Sequence, residues 1–99
     1  MSRSDQVGST HTVVGTDTDG YQYVQYHDTK VIRWNTNFIE LRHGGYKTNT
    51  TKARINQAGV QYRLKVAVFC QNKQWFVDCD GITLPWQDTD EVFHIQRRP

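Results

Sequence analysis

With 99 residues, 36% of them apolar, the chain has material for one domain and one core but not for a second. No apolar run approaches a membrane span, and the opening MSRSDQVGST lacks a hydrophobic signal region. No membrane association is expected, and the protein is expected to stay in the cytoplasm where it is made. The net charge of +2 is too small for a uniformly basic nucleic-acid coat.

Residues 1–10 are small and polar and read as a disordered lead-in, with residues 11–99 as a single α+β domain. His11 to Gly15 is a candidate first strand. Asp17-Thr18-Asp19-Gly20 then reads as a turn in which Gly20 supplies a positive φ. Tyr21–Tyr26 and Lys30–Trp34 alternate as strands, Asn35-Thr36-Asn37 is the next turn, and Phe38–Arg42 follows as another strand. After Gly45 the period changes. From Thr51 to about Tyr62, Ile55, Ala58, Gly59 and Tyr62 recur at spacings of three and four, which is one helical face. Gly59 costs such a helix about 1 kcal/mol relative to Ala, unless its missing side chain lets the helix lie close on a sheet.

The second half returns to a period of two. LKVAVFC and WFVDC form a hairpin about a four-residue QNKQ turn, in which Cys70 faces Trp75 and Cys79 faces Val66. That register keeps the sulfurs too far apart for a disulfide, and both cysteines read as small buried hydrophobes. Gly81 to Trp86 is a short apolar segment ended by Pro85, and Val92–Ile95 is a closing edge strand. The expected fold is a curved antiparallel sheet of about five to six strands with one short helix packed on a face.

Charge is segregated along the chain. Between Lys30 and Lys65 eight cations stand against Glu40 alone, whereas the remainder carries four cations and nine acids. The basic middle contains the segment LRHGGYKTNTTKARINQ, residues 41–57. Gly44 and Gly45 turn the chain and let backbone N–H groups approach a ligand. Tyr46 is a large ring in a polar loop, and Thr48, Thr50 and Thr51 offer hydroxyls, one of them an N-cap. Lys52 and Arg54 place positive charge in a first helical turn that is already positive through its unpaired N–H groups and macrodipole. These parts match the general recipe for phosphate at a helix start, although the GxxxxGKS/T pattern of a nucleotide-hydrolysing loop is absent. The competing account is a Thr-capped helix with solvated basic side chains.

A second constellation interleaves Tyr21, Tyr23, Tyr26, Trp34, Phe38 and Tyr46 with Lys30, Arg33 and Arg42. Rings beside cations suit stacked bases and neutralised phosphates, but alternation puts Tyr26 on the face opposite Tyr21 and Tyr23, so some of the rings belong to the core. The scattered histidines His11, His27, His43 and His94 show no zinc-ligand spacing, and no metal or cofactor is expected. Asp78 and Asp80 read as solvated turn chemistry rather than an acid–base pair. No catalytic constellation stands out, and the chain is read as non-enzymatic.

The string Leu41-x-x-Gly44-Gly45-Tyr46-x-Thr48-x-Thr50-Thr51-Lys52-x-Arg54-Ile55-Asn56-Gln57 resembles a family of small tailed-bacteriophage proteins with a GG(W/Y)xTxTTKxR pattern. Trp75 to Asp78 and Leu84-Pro85-Trp86 are similar to later segments of the same family. The resemblance implies a viral protein made in the cytoplasm of a bacterial host and transfers no catalytic role. Small phage proteins without catalytic residues often bind host proteins, nucleic acids or nucleotide signals of host defence. Two functions follow as expectations. One is a protein that takes a nucleotide or nucleic-acid backbone through Gly44, Gly45, Tyr46, Thr48, Thr50, Thr51, Lys52 and Arg54. The other is a module that docks on a host or phage protein through exposed rings, Tyr46 and Trp86, and a basic face, with the glycine–threonine–lysine segment purely structural. Pairing of edge strands with a second copy, to give a homo-oligomer, is also compatible with the sequence.

Overall fold

The computed structural model describes residues 12–45 and 47–97. The chain runs β1 (Thr12–Thr16), β2 (Gln22–Tyr26), β3 (Thr29–Trp34), β4 (Phe38–Arg42), α1 (Asn49–Gln61), β5 (Val66–Gln71), β6 (Gln74–Cys79), β7 (Ile82–Trp86) and β8 (Val92–Gln96). The expected α+β class is observed, with the strands divided between two antiparallel sheets. Five form the order β1-β2-β3-β4-β8, and β5-β6-β7 make a separate meander. His11, expected to open the first strand, lies outside the described residues, as does the whole of 1–10.

Alternation sorts the larger sheet into two faces. Val24, Ile32, Trp34, Ile39, Leu41 and Ile95 are buried and point inward, toward α1 and the smaller sheet. The meander contributes Val66, Val68, Trp75, Val77 and Trp86 to the same core, and α1 adds Ile55 and Ala58. The β5–β6 register is the expected one, with Cys70 opposite Trp75 and Val66 opposite Cys79. The turn between them is tighter than expected. Gln71 and Gln74 pair, leaving two residues, Asn72 and Lys73, both at positive φ (52° and 65°), as a type I′ turn requires. Cys70 is also corrected: it sits at the solvent end of the ladder and is exposed, while Cys79 is half-buried.

The helix is anchored at three points. Gly59 faces the β5 backbone, where any Cβ would collide with the Val66 carbonyl oxygen. The Asn56 side chain reads the edge of β5 as another strand would, its Nδ2 donating to Val68 O (3.0 Å) and its Oδ1 accepting from Val68 N (2.7 Å). At the C-terminus, Leu64 N donates to Gly59 O and Arg63 N to Val60 O, with Arg63 at φ 55°. This is a Schellman closure whose left-handed position is filled by Arg rather than Gly.

Candidate functional site

Two regions gather functional side chains, one at the start of α1 and one on the uncovered face of the larger sheet.

At the helix start, Gly44 (φ 60°) and Gly45 (φ 83°) bring the chain out of β4. Gly44 packs on Thr29 so closely that a Cβ would collide with the Thr29 hydroxyl, which presses the loop against the β2–β3 turn. Gly45 N donates to His43 Nδ1 at 2.9 Å. His43 is itself buried, its ring 5.3 Å from that of Trp86 and edge-on to Trp75 at 6.4 Å. Nδ1 is thus occupied, and Nε2 has no hydrogen-bond partner among the described residues. Thr48 is the N-cap: its Oγ1 accepts from Thr51 N (3.2 Å) and its carbonyl from Lys52 N (3.2 Å). Thr51 is buried, with its hydroxyl 3.3 Å from that of Thr48, so it completes the cap instead of facing solvent. The N–H groups of Asn49 and Thr50 point out of the helix start. Tyr46 lies outside the described residues.

The expected cations flank this point without converging. No acid occupies the first turn. Lys52 and Lys47 both bring Nζ to 5.6 Å from the Trp75 ring, and Lys47 also pairs with Asp88. Arg54, about 200° round the helix from Lys52, places Cζ 5.5 Å from the Tyr26 ring and donates from Nε to Thr12 Oγ1 (3.0 Å). A hollow of about 250 Å³ opens between the β2–β3 turn and the cap, lined by Tyr26, His27, Asp28 and Thr48. The sequence had not singled out this hollow, because it depends on Gly44 drawing two distant loops together.

The sequence names the rings and cations of the second region, but not Gly15, Glu40 and His94, which only strand pairing brings among them. Gly15, Tyr23, Arg33, Glu40 and His94 stand directly opposite one another across all five strands, on the face away from the core. A β-bulge in β3 pairs Val24 with Ile32 but Gln25 with Lys30, leaving Val31 as the extra residue. Lys30 and Arg33, three apart, thereby share a face. Gly15 leaves room for the Tyr23 ring, Lys30 Nζ lies 4.4 Å from the centre of that ring, and Arg33 Cζ lies 4.3 Å from that of Tyr21. So Tyr21, Tyr23, Lys30, Arg33 and Arg42 do assemble, whereas Trp34 is core and Tyr26 lies on the other face.

Glu40 is the buried centre of this network. Its carboxylate accepts from Arg33 Nε (2.8 Å) and Nη2 (3.3 Å) and from Arg42 Nε (3.0 Å), and His94 Nδ1 stands 3.7 Å away. Burial alone would raise the Glu40 carboxyl. The hydrogen bonds and charges of Arg33 and Arg42 outweigh burial and hold it below its ordinary value. Asp17 is held low in the same sense: burial opposes, and hydrogen bonding with Asp19, Tyr21 N–H and Arg33, with the charge of Lys30, prevails. Arg33 stays charged throughout. Among the described residues no three His, Cys, Asp or Glu side chains gather as a metal site, and no helix is long and apolar enough to cross a membrane.

The model of the Kyanoviridae Gp96 protein family matches residues 1–94. The chain belongs to that family. It is a phage protein, as its resemblance implied. The family match covers the whole of both regions described above and attaches no activity to either. No curated protein and no solved structure matches the chain.

Proposed function

We propose that this Gp96-family protein is a non-enzymatic accessory protein that binds a phosphate-bearing ligand, a nucleotide or a nucleic-acid backbone, at the start of α1 in the host cytoplasm. The observation that carries the proposal is a thirteen-residue helix whose first turn has no acid and is flanked by lysines on one side and Arg54 on the other, beside an open hollow. A phosphate on the helix axis meets the Asn49 and Thr50 N–H groups and the positive end of the macrodipole. Thr48 and Thr51 shape that end, Gly44 seats the loop on Thr29 and Gly45 turns it toward the helix, and Lys52 and Arg54 supply charge from either flank. The stretch GGYKTNTTKAR is then the ligand-binding signature of the chain, and Tyr26, which lines the hollow, offers a ring for a base alongside Tyr46. Asp28 on the same rim disfavours a second phosphate nearby, so a ligand with one engaged phosphate group fits best.

Isothermal titration with nucleoside monophosphates and short single-stranded oligonucleotides tests this. Lys52→Ala with Arg54→Ala is expected to weaken binding at least about tenfold with an unchanged circular dichroism spectrum. Unchanged affinity removes the site.

A second reading draws on apolar surface elsewhere: the protein docks on a host or phage protein through the smaller sheet. Phe69 and Phe76 stack at 5.4 Å on its outer face, and at the β7 margin Ile82 and Leu84, which point to the opposite face, are 60% and 46% exposed. Trp86, expected to be an exposed docking ring, is instead buried with its Nε1 donating to Asp90 O (2.7 Å). Salt separates the two functions, because phosphate binding weakens with ionic strength and apolar docking does not.

A further inference from the structure

The uncovered face of the larger sheet holds its two arginines in different ways. Arg33 is fully engaged, with Nε and Nη2 on Glu40 and Nη1 on Asp17 and Asp19. Arg42 is tied to Glu40 through Nε alone, and its Nη1 and Nη2 have no partner among the described residues. A guanidinium pinned at Nε presents its two terminal nitrogens end-on, the arrangement that grips a carboxylate or phosphate with parallel bonds. Pinning by a buried carboxylate also fixes the orientation before any ligand arrives, which removes part of the ordering cost of binding.

Arg42 faces a hollow of about 410 Å³ whose walls include Lys30, Arg33 and Thr29 and, among them, the acids Asp28 and Glu91. That volume lies in the range of small-molecule sites. Lys30 is held in place by the Tyr23 ring and by Asp17 at 3.6 Å. Three cations and two carboxylates line the same hollow, so a polyanion is repelled by part of the surface that attracts it. A molecule with an oxyanion at one end and an ammonium at the other satisfies both signs.

We propose that this hollow is a second binding site, adjoining the helix-start hollow at Asp28, and that it takes a small dipolar ligand. Its phosphate or carboxylate sits on the Arg42 fork and Lys30, and its ammonium turns toward Asp28 and Glu91. Glu40 is the positioning residue, acting through Arg42.

The test is an NMR titration of the full chain, following the Arg42 side-chain Nε–H and the Thr29 amide. O-phosphoethanolamine, β-alanine and methyl phosphate are compared at one pH and ionic strength. At least one of the two dipolar ligands is expected to give saturable shifts there and to bind about fivefold or more tighter than methyl phosphate; which one does so distinguishes phosphate from carboxylate. Arg42→Lys keeps the charge beside Glu40 but loses the fork, and is expected to weaken that ligand about fivefold. Asp28→Asn with Glu91→Gln, both exposed and so benign to folding, is expected to bring its affinity down to that of methyl phosphate. The proposal is overturned by the absence of saturable shifts at Arg42, by methyl phosphate binding as tightly, or by affinity indifferent to both sets of substitutions. Shifts confined to the Asn49–Lys52 amides also overturn it, while supporting the helix-start site.

Discussion

At Glu40 two opposed effects can be weighed against each other. The side chain is 7% exposed, and a lone carboxylate there would be costly to ionise. Two arginines make the charged form the favoured one, so its folded pKa lies below the ordinary value of 4.5. The sign of the pH dependence follows. Stability from this network is fully present above the unfolded value and is lost as pH falls from about 4.5 through the lower folded value, where the folded state must take up the proton. Asp17 adds to the same acid limb. Glu40→Gln keeps the shape but removes the buried charge between Arg33 and Arg42, leaving Arg33 only Asp17 and Asp19, and is expected to lower stability by about 2 kcal/mol at pH 7. It should also flatten the acid limb of a plot of denaturant midpoint against pH. An acid limb as steep as that of the parent chain would show that the network contributes nothing to it. Glu40, between Ile39 and Leu41, was legible in the sequence only as an isolated acid in an apolar strand, because its partners come from β3 and β8.

At the scale of elements, periodicity located the helix and most of the strands, while Gly81 to Trp86, read only as an apolar segment, contains β7. The β5–β6 register followed from pairing Val66, Val68 and Cys70 with Cys79, Val77 and Trp75. Two features broke the rules that periodicity relies on. The bulge at Val31 resets alternation, so counting by twos puts Lys30 and Arg33 on opposite faces when they share one. Positive φ at Asn72 and Lys73 lets non-glycine residues close a two-residue turn, which the composition QNKQ does not announce. Gly59 was legible in kind: a glycine that weakens a lone helix is tolerated where the helix must approach a backbone. Gly59→Ala therefore sets a helix-propensity gain of about 1 kcal/mol against collision with the Val66 peptide, which cannot swing aside as a side chain would. Net destabilisation of about 1–3 kcal/mol is expected, measurable by urea denaturation. A stabilised variant would mean that α1 does not lie on β5 this closely.

Across the whole molecule, two sheets share one continuous core, with α1 packed on β2, β3 and β5. Trp34 belongs to the larger sheet and Trp75 and Trp86 to the smaller. Since neither sheet buries its inner face without the other, the described domain is expected to unfold in one cooperative step. Variants in which either Trp34 or both Trp75 and Trp86 are replaced by Phe should report midpoints by fluorescence that coincide with their own midpoints by circular dichroism. Separate midpoints would reveal two folding units. The division into two sheets was not legible in the sequence, because nothing local tells β8 to pass over β7 and pair with β4.

The Asn56 amide, seated on the peptide group of Val68, has a bearing on self-association. It occupies an outer rim of the smaller sheet that would otherwise recruit a neighbouring strand. On the opposite rim, Pro85 brings no N–H to β7. The three-stranded unit is thereby guarded at both margins against lateral growth. Any ribbon-to-ribbon joining with a further chain is steered to β1 and β8, on either side of the sheet that carries Arg42 and Glu40.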